Sequence, residues 1–181
     1  MTRIQDLRTY ATHRKLPKAT FLGNLSNDWV SKSLDHCSAL PSQLQTTVTE
    51  RNSIPIHGTK IYYDQLEGIY DQRKISLDVH DLDPIIIRLQ GVNHLRYALL
   101  NPKSTIPAHL DDPYTLRFIC MLQGKHILSS EGTDFEMTAG ELWFVNGSYK
   151  HSIFNSEDYT RIALLGNFAY SDFNINMLRS I

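Results

Sequence analysis

From Leu95 onward the chain alternates short apolar runs with clusters of Pro, Gly, Asn and Asp at intervals of about ten residues, the rhythm of a mainly β protein. The runs are LRYALL, LRFICML, KHILSS, TDFEMT, ELWFVN, HSIFN and RIALLGNFAY, separated by NPKSTIPA, QG, EG, AGE, NGSYK and SEDYT. Many short strands joined by tight turns predict a double-stranded β-helix, or jelly roll, rather than βαβ units. Upstream the texture differs. Residues 1 to about 50 are polar and weakly periodic, and NDWVSKSLDHCSAL predicts a short amphipathic helix around Trp29, Val30, Leu34 and Leu40. GTKIYYDQL predicts a strand. In DLDPIIIRLQG, Asp83 stands where an N-cap belongs, Pro84 at the first helical position and Gly91 where a helix stops, which predicts a second short helix. The expected organisation is a single domain over 1–181, with helices and supporting strands in 1–90 and the jelly-roll core in 95–170.

Period-two alternation sorts the strand residues into faces. Arg161, Ala163, Leu165 and Asn167 share one side of their strand, and Ile162, Leu164, Gly166 and Phe168 the other. Arg117 shares a face with Ile119 and Met121, opposite Leu116, Phe118 and Cys120. An unpaired charge among apolar neighbours costs several kcal/mol as an order of magnitude, so each arginine asks for an anion.

Composition limits the partners. With 181 residues, 41% hydrophobic and 20% charged, the chain is large enough to bury a core. A net charge of -1 leaves no basic footprint for nucleic acid and no polybasic patch for a membrane, so the expected partner is a small molecule. Two cysteines, Cys37 and Cys120, give no disulfide framework, and Cys120 lies in an apolar run that predicts a buried free thiol. No run of 18 apolar residues occurs, and the N-terminus lacks the apolar segment of a secretory signal. The expected location is cytoplasmic.

Chemistry concentrates in IPAHLDDPYTLRF and NGSYKHSIF. His109-x-Asp111 presents two ligands from one strand end, and His151 follows His109 by 42 residues at the start of another strand. Two imidazoles and one carboxylate on one face of an octahedral ion leave three positions open, the arrangement of a non-haem Fe(II) oxygenase. The 2-oxo acid group of 2-oxoglutarate fits two of them and dioxygen the third. Arg161, ten residues after His151, suits the far carboxylate of that cosubstrate through a bidentate pair. Its competing reading is an interior salt bridge to Glu141. A halogenase leaves the carboxylate position vacant for halide, and Asp111 fills it. His57, His80, His94 and His126 have no histidine or carboxylate at a matching spacing and read as surface or hydrogen-bonded residues. Trp143 reads as packing and Asn146-Gly147 as a tight turn. Another metal-dependent cupin enzyme, or a ligand-binding jelly roll without turnover, remains open on these residues alone.

IPAHLD, LRF, MTAGELWFVNGSYKHS and RIALL resemble the aspartyl/asparaginyl β-hydroxylase family of 2-oxoglutarate/Fe(II) oxygenases, in particular its proline cis-4-hydroxylase-like branch, over roughly residues 95–170. The resemblance implies His109, Asp111 and His151 as iron ligands and Arg161 as the 2-oxoglutarate arginine. It matches Arg117 to an arginine that faces a cosubstrate or substrate carboxylate. Three departures stand out. Ile119 replaces the histidine that the family often carries two residues after that arginine. Asp111 is retained where animal aspartyl hydroxylases lack the metal carboxylate. The chain stops about ten residues after its last core strand, without the C-terminal helical region of the proline hydroxylases. The expected reaction is hydroxylation of an amino acid or short peptide whose carboxylate lies in the Arg117 fork, with Arg96 on the neighbouring strand as the next candidate anchor.

Overall fold

A computed structural model of the chain describes residues 12–40, 70–75, 81–111 and 116–181; GTKIYYDQL, His57 and His80 fall outside them. In chain order the elements are β1 (Ala19–Asn24), α1 (Asn27–Ala39), β2 (Tyr70–Lys74), α2 (Pro84–Ile87), β3 (Asn93–Leu100), β4 (Thr105–His109) and β5 (Leu116–Gln123). They continue with β6 (Lys125–Ser130), β7 (Thr133–Thr138), β8 (Glu141–Val145), β9 (His151–Asn155), β10 (Arg161–Phe168) and α3 (Asp172–Arg179). Among the described residues, one sheet runs β1-β8-β5-β10-β3-β2 and a second runs β4-β9-β6-β7. Every pairing is antiparallel. From β4 to β10 the chain passes back and forth between the two sheets except at the β6–β7 hairpin, the jelly-roll arrangement the strand rhythm predicts.

The larger sheet is buried on both faces. Its inner face and the smaller sheet enclose Ala98, Leu100, Ile119, Met121, Leu128, Met137, Ile153, Ala163 and Leu165. Its outer face packs Tyr97, Leu116, Phe118, Cys120, Phe144, Leu164 and Phe168 against Trp29 and Cys37 of α1, Ile86 of α2, and Ile175 and Leu178 of α3. This accounts for LRFICML and RIALLGNF, which read as nearly unbroken apolar runs because both sets of alternating side chains are covered. It also places Arg161, Arg117 and Asn167 inside the barrel with Ala163 and Ile119, as the alternation predicts.

The helices follow their capping chemistry. Ser26 accepts the Trp29 N–H with its hydroxyl, and α1 buries Trp29, Ser33 and Cys37 on successive turns, while Leu40 lies just beyond its end. Asp83 accepts N–H bonds from Ile85 and Ser26, tying the starts of both helices to one carboxylate. Burial opposes the Asp83 charge, but those N–H donors outweigh it and hold the carboxyl below its usual range. α2 stops at Ile87, earlier than Gly91 would set. Gly91 instead takes φ +68° where an added Cβ would stand 2.7 Å from Ala169, so a turn and a close approach require it.

Three strands lie where the sequence shows no strand rhythm. β1 and β2 fall in segments without apolar alternation, and β4 falls within the connector NPKSTIPA. All three are edge strands of their sheets. An edge strand is covered on fewer sides and needs few apolar residues, and the edge is where Pro107 in β4 is tolerated. After the last strand comes α3, a helix of eight residues that the strand rhythm does not predict. Asn174 anchors it by donating to the carbonyls of Gln90 and Ala169, and it packs on the outer face, away from the space between the sheets.

Gly166 tests the double burial of β10. A Cβ there would clash with the Phe118 ring and stand 2.8 Å from Leu95 Cδ2. Gly166→Ala is expected to lower stability by about 1–3 kcal/mol through overpacking, read from urea unfolding midpoints at constant m-value.

Candidate metal centre

β4 ends at His109, which lies directly opposite His151, the first residue of β9. The two rings are 4.4 Å apart between centroids. Asp111 sits two residues past the strand end, with its carboxylate 3.7 Å from His109 Nε2 and 3.6 Å from His151 Nε2. Ligand atoms of the three side chains all lie within 4.8 Å of one another, and among the described residues no other group of His, Cys, Asp and Glu converges in this way.

Backbone carbonyls fix the ring chemistry. His109 Nδ1 is 2.7 Å from the Pro107 carbonyl oxygen, and His151 Nδ1 is 2.9 Å from that of Tyr149. A carbonyl only accepts, so each Nδ1 carries the proton and each Nε2 presents a lone pair to the common centre. Burial, against the pull of Asp111, moves the His109 pKa down and favours the neutral, ligating form. Burial opposes the Asp111 charge too, yet Arg117, then His151 and His109, hold its carboxyl far below the usual range. Two neutral imidazole nitrogens and one permanent carboxylate are a donor set that a divalent transition metal fits.

The loop between β8 and β9 fastens this geometry. The Asp111 N–H donates to the Gly147 carbonyl at 2.9 Å, and Gly147 lies so close that any Cβ would clash with the Asp111 side chain. Asn146, expected only as a turn residue, is buried and does more. Its amide nitrogen donates to the carbonyls of His13 and Leu16, and its oxygen accepts from the Ser148 N–H and hydroxyl. The Tyr149 hydroxyl donates to the Arg14 carbonyl, while the Arg14 guanidinium lies 4.2 Å over the Tyr149 ring and donates to the Ser148 carbonyl. Residues 13–18 thus clamp the turn whose carbonyl orients His151.

The two inward arginines differ. Arg117 Nη1 pairs with Asp111, so its anion is the candidate metal carboxylate itself, and its buried Nε has no partner. Arg161 is 1% exposed and donates to the Ala98 carbonyl at 3.2 Å, with no partner at Nε. The salt bridge to Glu141 is not formed. Glu141 Oε2 instead accepts from the Thr138 N–H and the Trp143 indole. Burial pulls the Arg161 pKa down to about 10, which leaves it charged at neutral pH. Arg96 faces inward opposite Leu165, but β10 lies between its strand and β5, so it is one strand farther from Arg117 than expected.

His126 also needs correction. It is fully buried inside the barrel, with Nε2 3.2 Å from Met137 Sδ and no partner at Nδ1. Burial, reinforced by the Arg161 charge, pushes its pKa well down, so the ring is neutral. Period two within KHILSS sets His126 and Ser130 on the side of Leu128, and that is the signal that could have found both. The unpartnered buried atoms Arg161 Nε, His126 Nδ1, Ser130 Oγ, Asn167 Oδ1 and Arg117 Nε belong to inward-facing residues. Buried polar groups are nearly always bonded, so this concentration points to a polar guest.

Residues 82–170 match the family model described as aspartyl/asparaginyl beta-hydroxylase. A solved Burkholderia pseudomallei oxidoreductase of the 2OG-Fe(II) oxygenase family is similar in fold, with a TM-score of 0.60 at 12% identity, covering 92% of this chain and 91% of its own. The cupin domain of Schizosaccharomyces pombe Cnp3 aligns at a TM-score of 0.44 and 16% identity, covering 62% of this chain and 72% of its own. No curated protein matches the sequence.

Gly147→Ala is expected to displace Asp111 and weaken Mn(II) binding about 10- to 100-fold in calorimetric titration. Wild-type affinity in a folded variant would show that this contact does not set the carboxylate position.

Proposed function

We propose that the chain is an Fe(II)- and 2-oxoglutarate-dependent dioxygenase that hydroxylates an unactivated C–H of an amino acid or of a residue in a short peptide. The observation that carries this reading is the convergence of His109, Asp111 and His151 in a barrel that also buries the unpaired charge of Arg161. The three convergent side chains hold the metal. Bound iron, with 2-oxoglutarate and dioxygen, supplies the oxidation that turns C–H into C–OH while the cosubstrate leaves as succinate and carbon dioxide.

The residues of the chain prepare that chemistry. The Pro107 and Tyr149 carbonyls keep both imidazoles in the ligating tautomer, and Arg117 holds the Asp111 carboxylate ionised and aimed. Arg161 binds the distal carboxylate of 2-oxoglutarate. Leu128, Ile153, Ala163 and Leu165 wall the interior with apolar surface that excludes water. A cupin that does not bind a dicarboxylate has no use for a buried, uncompensated arginine, which favours this reading over another metal-dependent cupin enzyme. Arg117 also takes part in substrate binding, with Arg96 behind it.

No helix among the described residues is long and apolar enough to cross a membrane. Cys37 and Cys120 are buried free thiols, which supports a reducing compartment such as the cytoplasm.

Anaerobic addition of Fe(II) and then 2-oxoglutarate is expected to give a weak visible charge-transfer band, absent in His109→Ala and His151→Ala. Tight metal binding by the wild type without the band would point to another cupin chemistry. In the same titration Arg161→Ala should raise the 2-oxoglutarate requirement about ten- to a hundred-fold, the equivalent of roughly 1.5–3 kcal/mol, with partial rescue by Arg161→Lys. An unchanged requirement in Arg161→Ala would remove Arg161 from the cosubstrate site.

A further inference from the structure

Asn167, like Ser130, is an inward-facing polar residue that none of the chemistry above uses. It lies on β10 directly opposite Arg117 of β5, and Arg117 in turn touches the candidate metal carboxylate. Asn167 is 8% exposed, and its side-chain oxygen has no partner. The other side of β10 is irregular at this point. Pairing with β3 slips between Leu165, opposite Arg96, and Asn167, opposite Asn93. Such bulges beside active sites re-aim a side chain. Gly166, with no room for a Cβ, keeps the strand pressed on Phe118 at the same place.

Two complementary groups therefore stand next to each other unused. Arg117 Nε is a buried donor and Asn167 Oδ1 a buried acceptor, on neighbouring strands and facing the same interior. They do not bond each other. A stably folded strand has no reason to retain both atoms unpaired unless a guest completes them. That guest must offer an oxygen to Arg117 and an N–H to Asn167 from the same or adjacent carbons. An amino-acid head group does so with its carboxylate and ammonium, and a peptide does so with its amide.

Resting on the dioxygenase reading, we propose that Asn167 and Arg117 are the substrate-recognition pair of this site. Asn167 accepts from the α-amino or amide nitrogen while Arg117 Nε donates to the adjoining oxygen. Two contacts of opposite polarity fix both position and sense of the substrate, so that one C–H faces the metal ligands instead of a mixture of orientations. The pair also discriminates against compounds with an oxygen but no N–H, because those leave Asn167 Oδ1 desolvated and unpaired.

The test uses the full chain loaded with Fe(II), a panel of free amino acids, their N-acetyl amides, and the matching carboxylic acids with hydrogen in place of the amino group, which keep the carboxylate and have no donor beside it. Succinate and hydroxylated product are measured together. The wild type should be stimulated by members of one of the first two sets and not by the des-amino acids; which set responds separates an ammonium from an amide donor. Asn167→Leu, of similar volume but unable to hydrogen-bond, should raise the KM for that substrate at least ten-fold and lower product per succinate. Asn167→Thr, which keeps an acceptor, should recover part of both. Through this the anaerobic band should titrate with 2-oxoglutarate at the wild-type midpoint. An unchanged KM in Asn167→Leu, equal stimulation by the des-amino acids, a shifted 2-oxoglutarate midpoint, or an intact band with no stimulation by any panel member would each overturn the pair. Absence of the band in the wild type would instead overturn the dioxygenase reading beneath it.

Discussion

A main-chain hydrogen bond, from the Asp111 N–H to the Gly147 carbonyl at 2.9 Å, extends the β4–β9 pairing between the two segments that carry the ligand atoms. The end of β4 and the residues just past it bring His109 and Asp111, and the start of β9 brings His151. With no Cβ at position 147 the two backbones touch, and the carboxylate reaches both imidazoles. The β8–β9 loop would be a poor anchor alone, since exposed turns are mobile. Asn146 and Tyr149 pin it to the backbone of residues 13–16, and Arg14 closes the fastening by pairing with Glu131 at the β6–β7 turn. The candidate centre is thus rigid because four chain segments meet behind it.

Charge is distributed through the barrel with the same economy. Asp111 and Arg117 neutralise each other at the end of the barrel where the ligand atoms converge, while Arg161 at the start of β10 donates to the Ala98 carbonyl and has Tyr70 as its favourable electrostatic neighbour. Desolvating a guanidinium without an anion works against folding. The lowered Arg161 pKa and the neutral His126 beside it are two expressions of that cost. A carboxylate bound there, as proposed for 2-oxoglutarate, would offset that cost and so raise stability.

The sequence reading caught what repeats and missed what occurs once. Strand rhythm from Leu95 onward marks β3 and β5 to β10, and the faces of Arg161 and Arg117 follow from period two, although the β10–β5 pairing shifts register beside Arg161, between Ile162 and Ala163. β1, β2 and β4 escape notice because edge strands need no alternating apolar face, and Pro107 reads as a breaker. His126 was missed by a test of ligand spacing, which cannot see a residue whose partners are an arginine 35 positions away and an empty space. Arg96 was placed one strand too near because sequence order does not reveal that β10 inserts between β3 and β5. The resemblance matches Arg117 to an arginine that faces a cosubstrate or substrate carboxylate; the carboxylate it meets in the structure is Asp111.

β10 carries two unrelated duties on alternate residues. Ile162, Leu164 and Phe168 look outward to the helices, whereas Arg161, Ala163, Leu165 and Asn167 look inward. Because a strand separates its faces so cleanly, selection on one set leaves the other free. Variation restricted to 163, 165 and 167 would redraw the wall of the cavity while the helical packing that keeps the chain folded stays as it is. The same alternation lets descendants of one stable scaffold drift toward different guests by changing every second letter of a single strand.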